Sequence, residues 1–296
     1  MKVITADHLG LCFGVRDALA VIDRVPEPEV VTIHGQLVHN EVVIADLNAR
    51  GFHIAEESRR AEAAAPVRSR VLITAHGISQ RERRRLESAG ATLIDTTCPL
   101  VLRAHHAAQG LQAQGYHVLL IGRKGHVEVR GIIEDLASFD VIEDERDVAN
   151  FGKSRLGIVC QTTVPEHRVE AIRSLIAERN PGAEIRFIDT ICLPTKEHQR
   201  ALERLLAGVE AVVVVGGRNS NNTRELVELC RRRVRPVFHV QTASDLDTRR
   251  LASFSVVGLT GGTSTLDRTI DEVRRALEEI EPLRRGEHPV GTGGGL

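Results

Sequence analysis

Three cysteines could do chemistry together. Cys12 in LGLCFG, Cys98 in DTTCP and Cys192 in DTIC lie at nearly equal intervals along a chain of 296 residues, and the last two share an Asp-Thr-x-Cys signature. Each follows a short β-rich run, so three successive units would each deliver one thiol just beyond a strand. Three thiolates suit a 4Fe-4S cluster, whose fourth iron stays open to act as a Lewis acid on a substrate. The sequence has no CxxC pair, which disfavours a zinc ribbon, a thioredoxin-type motif and a zinc hydrolase built on the same cysteines. Cys160, ending an apolar strand, and Cys230, inside LVELCRRR, read instead as small buried hydrophobes.

Elements that could position these thiols alternate along the chain. Strands are expected at 2–5, 30–34, 71–75, 92–95, 117–122, 155–159, 184–189, 211–215, 236–240 and 254–260, with amphipathic helical patterns such as 166–180 and 267–281 between them. Doubly buried strands separated by helices predict an α/β fold with mostly parallel sheets. Ligands in such folds bind beyond the carboxyl ends of the strands, where this chain is unusually polar. Those segments carry His39 with Asn40, His76, His126 with Glu128, Thr162 with Thr163, Ser220 with Asn222, and Ser264. The turns GGRNSNN and GGTST lead into helices and offer backbone N–H groups and hydroxyls to an anion. The histidines add donors for the same phosphates. Glu128, two residues after His126, is placed to give a proton if its surroundings raise its pKa. The expected units are 1–96, 97–191 and 192–285, followed by a Gly-rich tail from 286 to 296 that should be disordered.

Composition removes several functions. With 39 basic and 40 acidic side chains, the composition gives no sign of a basic footprint for nucleic acid or a membrane surface. The chain has no Trp and a single Tyr, too few aromatics for a base-stacking platform. No apolar run approaches the roughly 18 residues of a membrane helix, and Asp7 and His8 interrupt any signal-peptide core, so a cytoplasmic location is expected. FGKS at 151–154 lacks the earlier glycine of a P-loop, and no GxGxxG follows a strand. There is no CxxxCxxC of the radical type either.

The ordered set CFGV, VHN, AHGIS, DTTCPLV, GHVEV, QTT, DTIC and NSNN resembles the 4-hydroxy-3-methylbut-2-enyl diphosphate reductase family, also called LytB. The likeness runs from about Lys2 to Ile280. It implies a trefoil of three α/β units around one central 4Fe-4S cluster ligated by Cys12, Cys98 and Cys192, with an open iron site for the substrate hydroxyl. It further implies that His39, His76, Ser220, Asn221, Asn222 and Ser264 face the diphosphate with His126 close by, that Thr162 orients the hydroxyl, and that Glu128 relays protons. Electrons would come from a ferredoxin or flavodoxin, and the protein would act as a monomer or homodimer on an allylic diphosphate. Val127 and Asn221 depart from the family's usual proline and serine, which points to a divergent paralogue as the alternative. Retention of Glu128, Thr162 and the diphosphate set disfavours a non-catalytic iron–sulfur sensor.

Overall fold

The apolar runs of the sequence become strands of three four-stranded sheets, every pairing of which is parallel. The computed structural model describes residues 1–55, 69–233 and 236–282. The tail expected to be disordered lies outside them.

The first lobe comprises β2 (Val31–Ile33), β3 (His53–Ile54), β4 (Arg70–Ile73) and β5 (Thr92–Asp95), in the order β3-β2-β4-β5. The second comprises β6 (His117–Ile121), β7 (Phe139–Ile142), β8 (Arg155–Cys160) and β9 (Glu184–Phe187), in the order β7-β6-β8-β9. The third contains β10 (Ala211–Val215), β11 (Val237–Val240) and β12 (Val256–Gly261), and its fourth strand is β1 (Lys2–Thr5), in the order β1-β12-β10-β11.

The sequential assignment of residues 1–96 to one unit therefore does not hold for β1. Its register runs Lys2↔Val256 to Thr5↔Leu259. β10 pairs with one side of β12, and β1 supplies the ladder on the other, satisfying backbone groups that would otherwise form a bare edge. The Met1 ammonium also donates to the Ile280 carbonyl at 2.6 Å, tying the start of the chain to the third lobe.

Helices cover both faces of the sheets, which is why the central strands are apolar throughout. β10, AVVVV, is fully buried along its length. Two edge strands escaped the sequence reading: β3 has two residues and β7, FDVI, is partly exposed. Cys160 and Cys230 are wholly buried in apolar clusters, as their contexts predicted.

Candidate active site

The three thiol positions are structurally equivalent. β1, β5 and β9 are each an edge strand, and beyond each the chain turns into a helix capped by a cysteine. Cys12 caps α1 (Phe13–Ile22), Cys98 caps α4 (Pro99–Ala113) and Cys192 caps α7 (Leu193–Leu206). Proline in the first turn of the last two presets the helical φ where no N–H bond is lost. Each cysteine N–H is anchored on the carbonyl just past the neighbouring strand. Cys12 donates to Thr263 at 3.0 Å, Cys98 to Ala75 at 3.1 Å and Cys192 to Thr162 at 3.0 Å. Those acceptors adjoin or include Ser264, His76 and Thr162, so one backbone device fixes thiols and polar groups together.

A second set of helix starts faces the same place. Asn40 caps α2 (Glu41–Ala49), His126 caps α5 (Val127–Ile133) and Ser220 caps α8 (Asn221–Arg232). The Asn40 carboxamide oxygen accepts from Val42 and Val43, while its nitrogen donates to the Ser264 carbonyl at 2.8 Å. Nδ1 of His126 accepts the Glu128 amide at 3.1 Å, which leaves the ring N–H on Nε2. Six helix N-termini surround one centre, and their dipoles favour anions and thiolates there.

The cavity they enclose spans about 720 Å³ including the open solvent at its mouth. Its walls hold the twelve residues to which the family resemblance gave site roles: Cys12, Cys98 and Cys192; His39, His76 and His126; Glu128 and Thr162; and Ser220, Asn221, Asn222 and Ser264. The His39 and His76 rings stack with centroids 4.6 Å apart, and His126 meets them edge-on at 5.3 and 5.7 Å. Nδ1 of His39 lies 3.0 Å from Gln36 Oε1, a carboxamide oxygen that only accepts, so that nitrogen carries a proton. Ser264 Oγ reaches Ser220 Oγ at 3.5 Å, and Asn222 Oδ1 accepts the Thr263 amide at 3.0 Å. Asn222 Nδ2 is buried with no hydrogen-bond partner among the described residues.

Glu128 is the buried acid of the site. Thr162 gives it two hydrogen bonds, amide to Oε1 at 2.7 Å and hydroxyl to Oε2 at 3.0 Å. Burial raises its pKa from 4.5 to about 7, and the Thr162 bonds oppose that rise. The carboxyl is thereby poised to exchange a proton near neutral pH.

Burial also governs the thiols. It pushes Cys192 up to about 12 and raises Cys12 and Cys98, while first-turn amides pull each back. The Cys192 thiol donates to Thr195 Oγ1 at 3.0 Å, a partner that sequence reasoning missed although Cys-x-x-Thr is visible in it. Among the described residues no three His, Cys, Asp or Glu side chains come close enough to hold one metal ion. Three sulfurs spread around a cavity do fit a larger metal–sulfur group, which would bring its own positive charge to thiols that otherwise stay protonated.

Gly14 makes room for this arrangement. A Cβ there would stand 2.5 Å from Cys98 Sγ, an impossible approach. Gly14→Ala should therefore displace that sulfur and reduce bound iron while the sheets stay intact. Iron content and far-ultraviolet circular dichroism of the purified variant check this; full iron content would refute it.

A parallel-stranded trefoil with one thiol from each lobe in a shared central cavity defines a distinct class of α/β protein. The family model described as LytB protein matches residues 3–278. The chain is 30% identical to the 4-hydroxy-3-methylbut-2-enyl diphosphate reductase of Caldanaerobacter subterraneus, covering 96% of this chain and 98% of that protein. It is 34% identical to the enzyme of the same name from Dictyoglomus turgidum, with 96% and 98% covered. The solved E-1-hydroxy-2-methyl-but-2-enyl-4-diphosphate reductase of Plasmodium falciparum superposes with a TM-score of 0.85 at 28% identity, over 93% of this chain and 87% of that one. The chain belongs to the LytB family.

Proposed function

We propose that this protein converts 4-hydroxy-3-methylbut-2-enyl diphosphate into isopentenyl and dimethylallyl diphosphate, the last step of the non-mevalonate isoprenoid pathway. One observation carries the reading: a single cavity gathers three thiols, three imidazoles, a hydroxyl-bearing phosphate turn and a buried acid bonded to a threonine. Cys12, Cys98 and Cys192 hold a 4Fe-4S cluster, which supplies one-electron redox chemistry and a Lewis-acidic iron when bound. Ser220, Ser264, Asn222, His39 and His76 bind the diphosphate by hydrogen bonds and charge, with His126 and Asn221 bordering it. Thr162 orients the substrate hydroxyl. Glu128 delivers the proton with which that oxygen departs as water, and a second proton adds to carbon at one end or the other of the allyl unit to give the two products. Two electrons enter singly from a ferredoxin or flavodoxin, as the resemblance to the LytB family implies. Among the described residues no helix is long and apolar enough to cross a membrane. The test is anaerobic reconstitution with iron and sulfide, followed by assay with the hydroxymethylbutenyl diphosphate and a strong one-electron donor. Formation of both five-carbon diphosphates is expected. A fully loaded protein that leaves this substrate unchanged would overturn the proposal.

A further inference from the structure

The diphosphate turn and the proton-donating pair belong to different lobes, so something must hold them in register. Ser220 and Asn222 lead α8 in the third lobe, whereas Glu128 and Thr162 sit in the second. Among the described residues no strand pairing joins these two sheets. Side chains on one face of α8 join them instead. Asn221 and Glu225, four residues apart, project from the same side of the helix. Asn221 Nδ2 donates to Thr163 Oγ1 at 2.9 Å. Glu225 accepts both guanidinium N–H groups of Arg168, at 2.9 and 3.0 Å.

Both receiving residues lie in one short stretch. Thr163 directly follows Thr162, and Arg168 is in the first turn of α6 (Glu166–Arg179). The Glu225 carboxylate is 9% exposed and the Arg168 side chain 29%, so this is among the more buried ion pairs of the protein. Bidentate geometry makes the contact directional as well as attractive. Glu166, two residues before Arg168, adds more exposed pairs to Lys196 and Arg200 of α7 at 3.2 and 3.0 Å.

We infer that Asn221, Thr163, Arg168 and Glu225 form a latch that holds the phosphate-facing turn in register with the Glu128–Thr162 pair. The role assigned to that register rests on the proposed function; the latch itself does not. Asn221 acts here as a positioning residue. Its carboxamide spans to Thr163, a reach that a serine at this position lacks. Arg168 and Glu225 touch no reacting atom and serve by fixing α8.

The test uses the iron-loaded full-length protein with Arg168→Gln, Glu225→Gln, Asn221→Ser and the double variant Arg168→Gln/Glu225→Gln. The double variant removes both charges without stranding either one, so it tests the latch if a single variant fails to fold. Amide exchange is the first readout. Segments 161–168 and 220–226 should lose protection together, by about tenfold or more, while the central strands of the sheets keep theirs. Kinetics is the second. kcat/KM for the allylic diphosphate should fall roughly 10- to 100-fold, because the two ends of the substrate are held by lobes no longer in register. Inhibition by inorganic diphosphate should change less than about threefold, since Ser220, Asn222 and Ser264 lie on the third lobe and His39 and His76 on the first, so that none of these groups belongs to the second lobe that the latch ties to α8. Unchanged protection in both segments, or loss confined to one, would overturn the latch. So would equal losses in substrate turnover and inorganic diphosphate binding, which would indicate general damage to the phosphate turn. Wild-type protein inactive on the substrate would reject the proposed function, and exchange would still decide the latch.

Discussion

Serine at position 12, 98 or 192 should leave a folded protein that has lost its iron and its reductase activity. The wild type, purified without oxygen, should be brown and carry about four irons per chain, as a 4Fe-4S centre requires. Each of the three cysteines contributes from a different lobe, so none has a neighbour able to take its place. Serine cannot supply the soft thiolate that iron–sulfur ligation needs. Because burial holds all three thiols above their ordinary range, loading must expel their protons. Reconstitution should then weaken as the pH is lowered, with proton release measurable on assembly. Cys160 and Cys230 provide the controls. Both are wholly buried away from the cavity, so serine there should cost stability, about 1–3 kcal/mol for an unsatisfied hydroxyl, and leave iron content unchanged. Iron retained in the Cys192→Ser variant and lost in Cys160→Ser would transfer the ligand role and break the assignment.

Much of the site was legible in sequence because its residues sit at a topologically fixed place. In parallel sheets every strand end opens on the same side, so polar segments after strands converge however far apart they lie. This is how Ser264 and His39 come to share a wall with Cys98. The echo of Asp95–Cys98 in Asp189–Cys192 likewise marked two equivalent edge strands. What stayed hidden depends on pairing between distant segments, which local periodicity does not encode. β1 joining β12 is one case: the pattern of residues 2–5 says strand but not which sheet. Asn221 is another. The family resemblance set it in the phosphate turn, and nothing in the sequence says that its nitrogen bonds to Thr163 across the lobe boundary. Thr163 and Arg168 acquire their partners only once α6 and α8 are packed together.

Replacing Glu128 by glutamine should leave substrate bound and turnover all but abolished. The carboxamide keeps the size of the side chain and can still accept from Thr162, but it cannot hand on a proton. General acid groups contribute roughly 100- to 10,000-fold, so kcat should fall within that range, with KM little changed. The wild-type rate should also decline as the pH rises through about 7, where the buried carboxyl loses its proton. Residual turnover in the variant should lack this limb. Stability gives an independent check. Burial raises the folded-state pKa above 4.5, so between 4.5 and about 7 the folded protein binds more protons than the unfolded chain. Stability from this group is therefore full below 4.5 and is lost as the pH rises through about 7. Glu128→Gln removes the ionisation, so the variant should gain in melting temperature over wild type at pH ~8 relative to their difference at pH ~5. The comparison belongs on protein at matched iron content, because cluster charge acts on the same carboxyl. Near-full turnover in the variant would remove Glu128 from proton delivery. An unchanged melting-temperature difference between the two pH values would show that its carboxyl does not titrate in that window, leaving the acid role to be sought on another group.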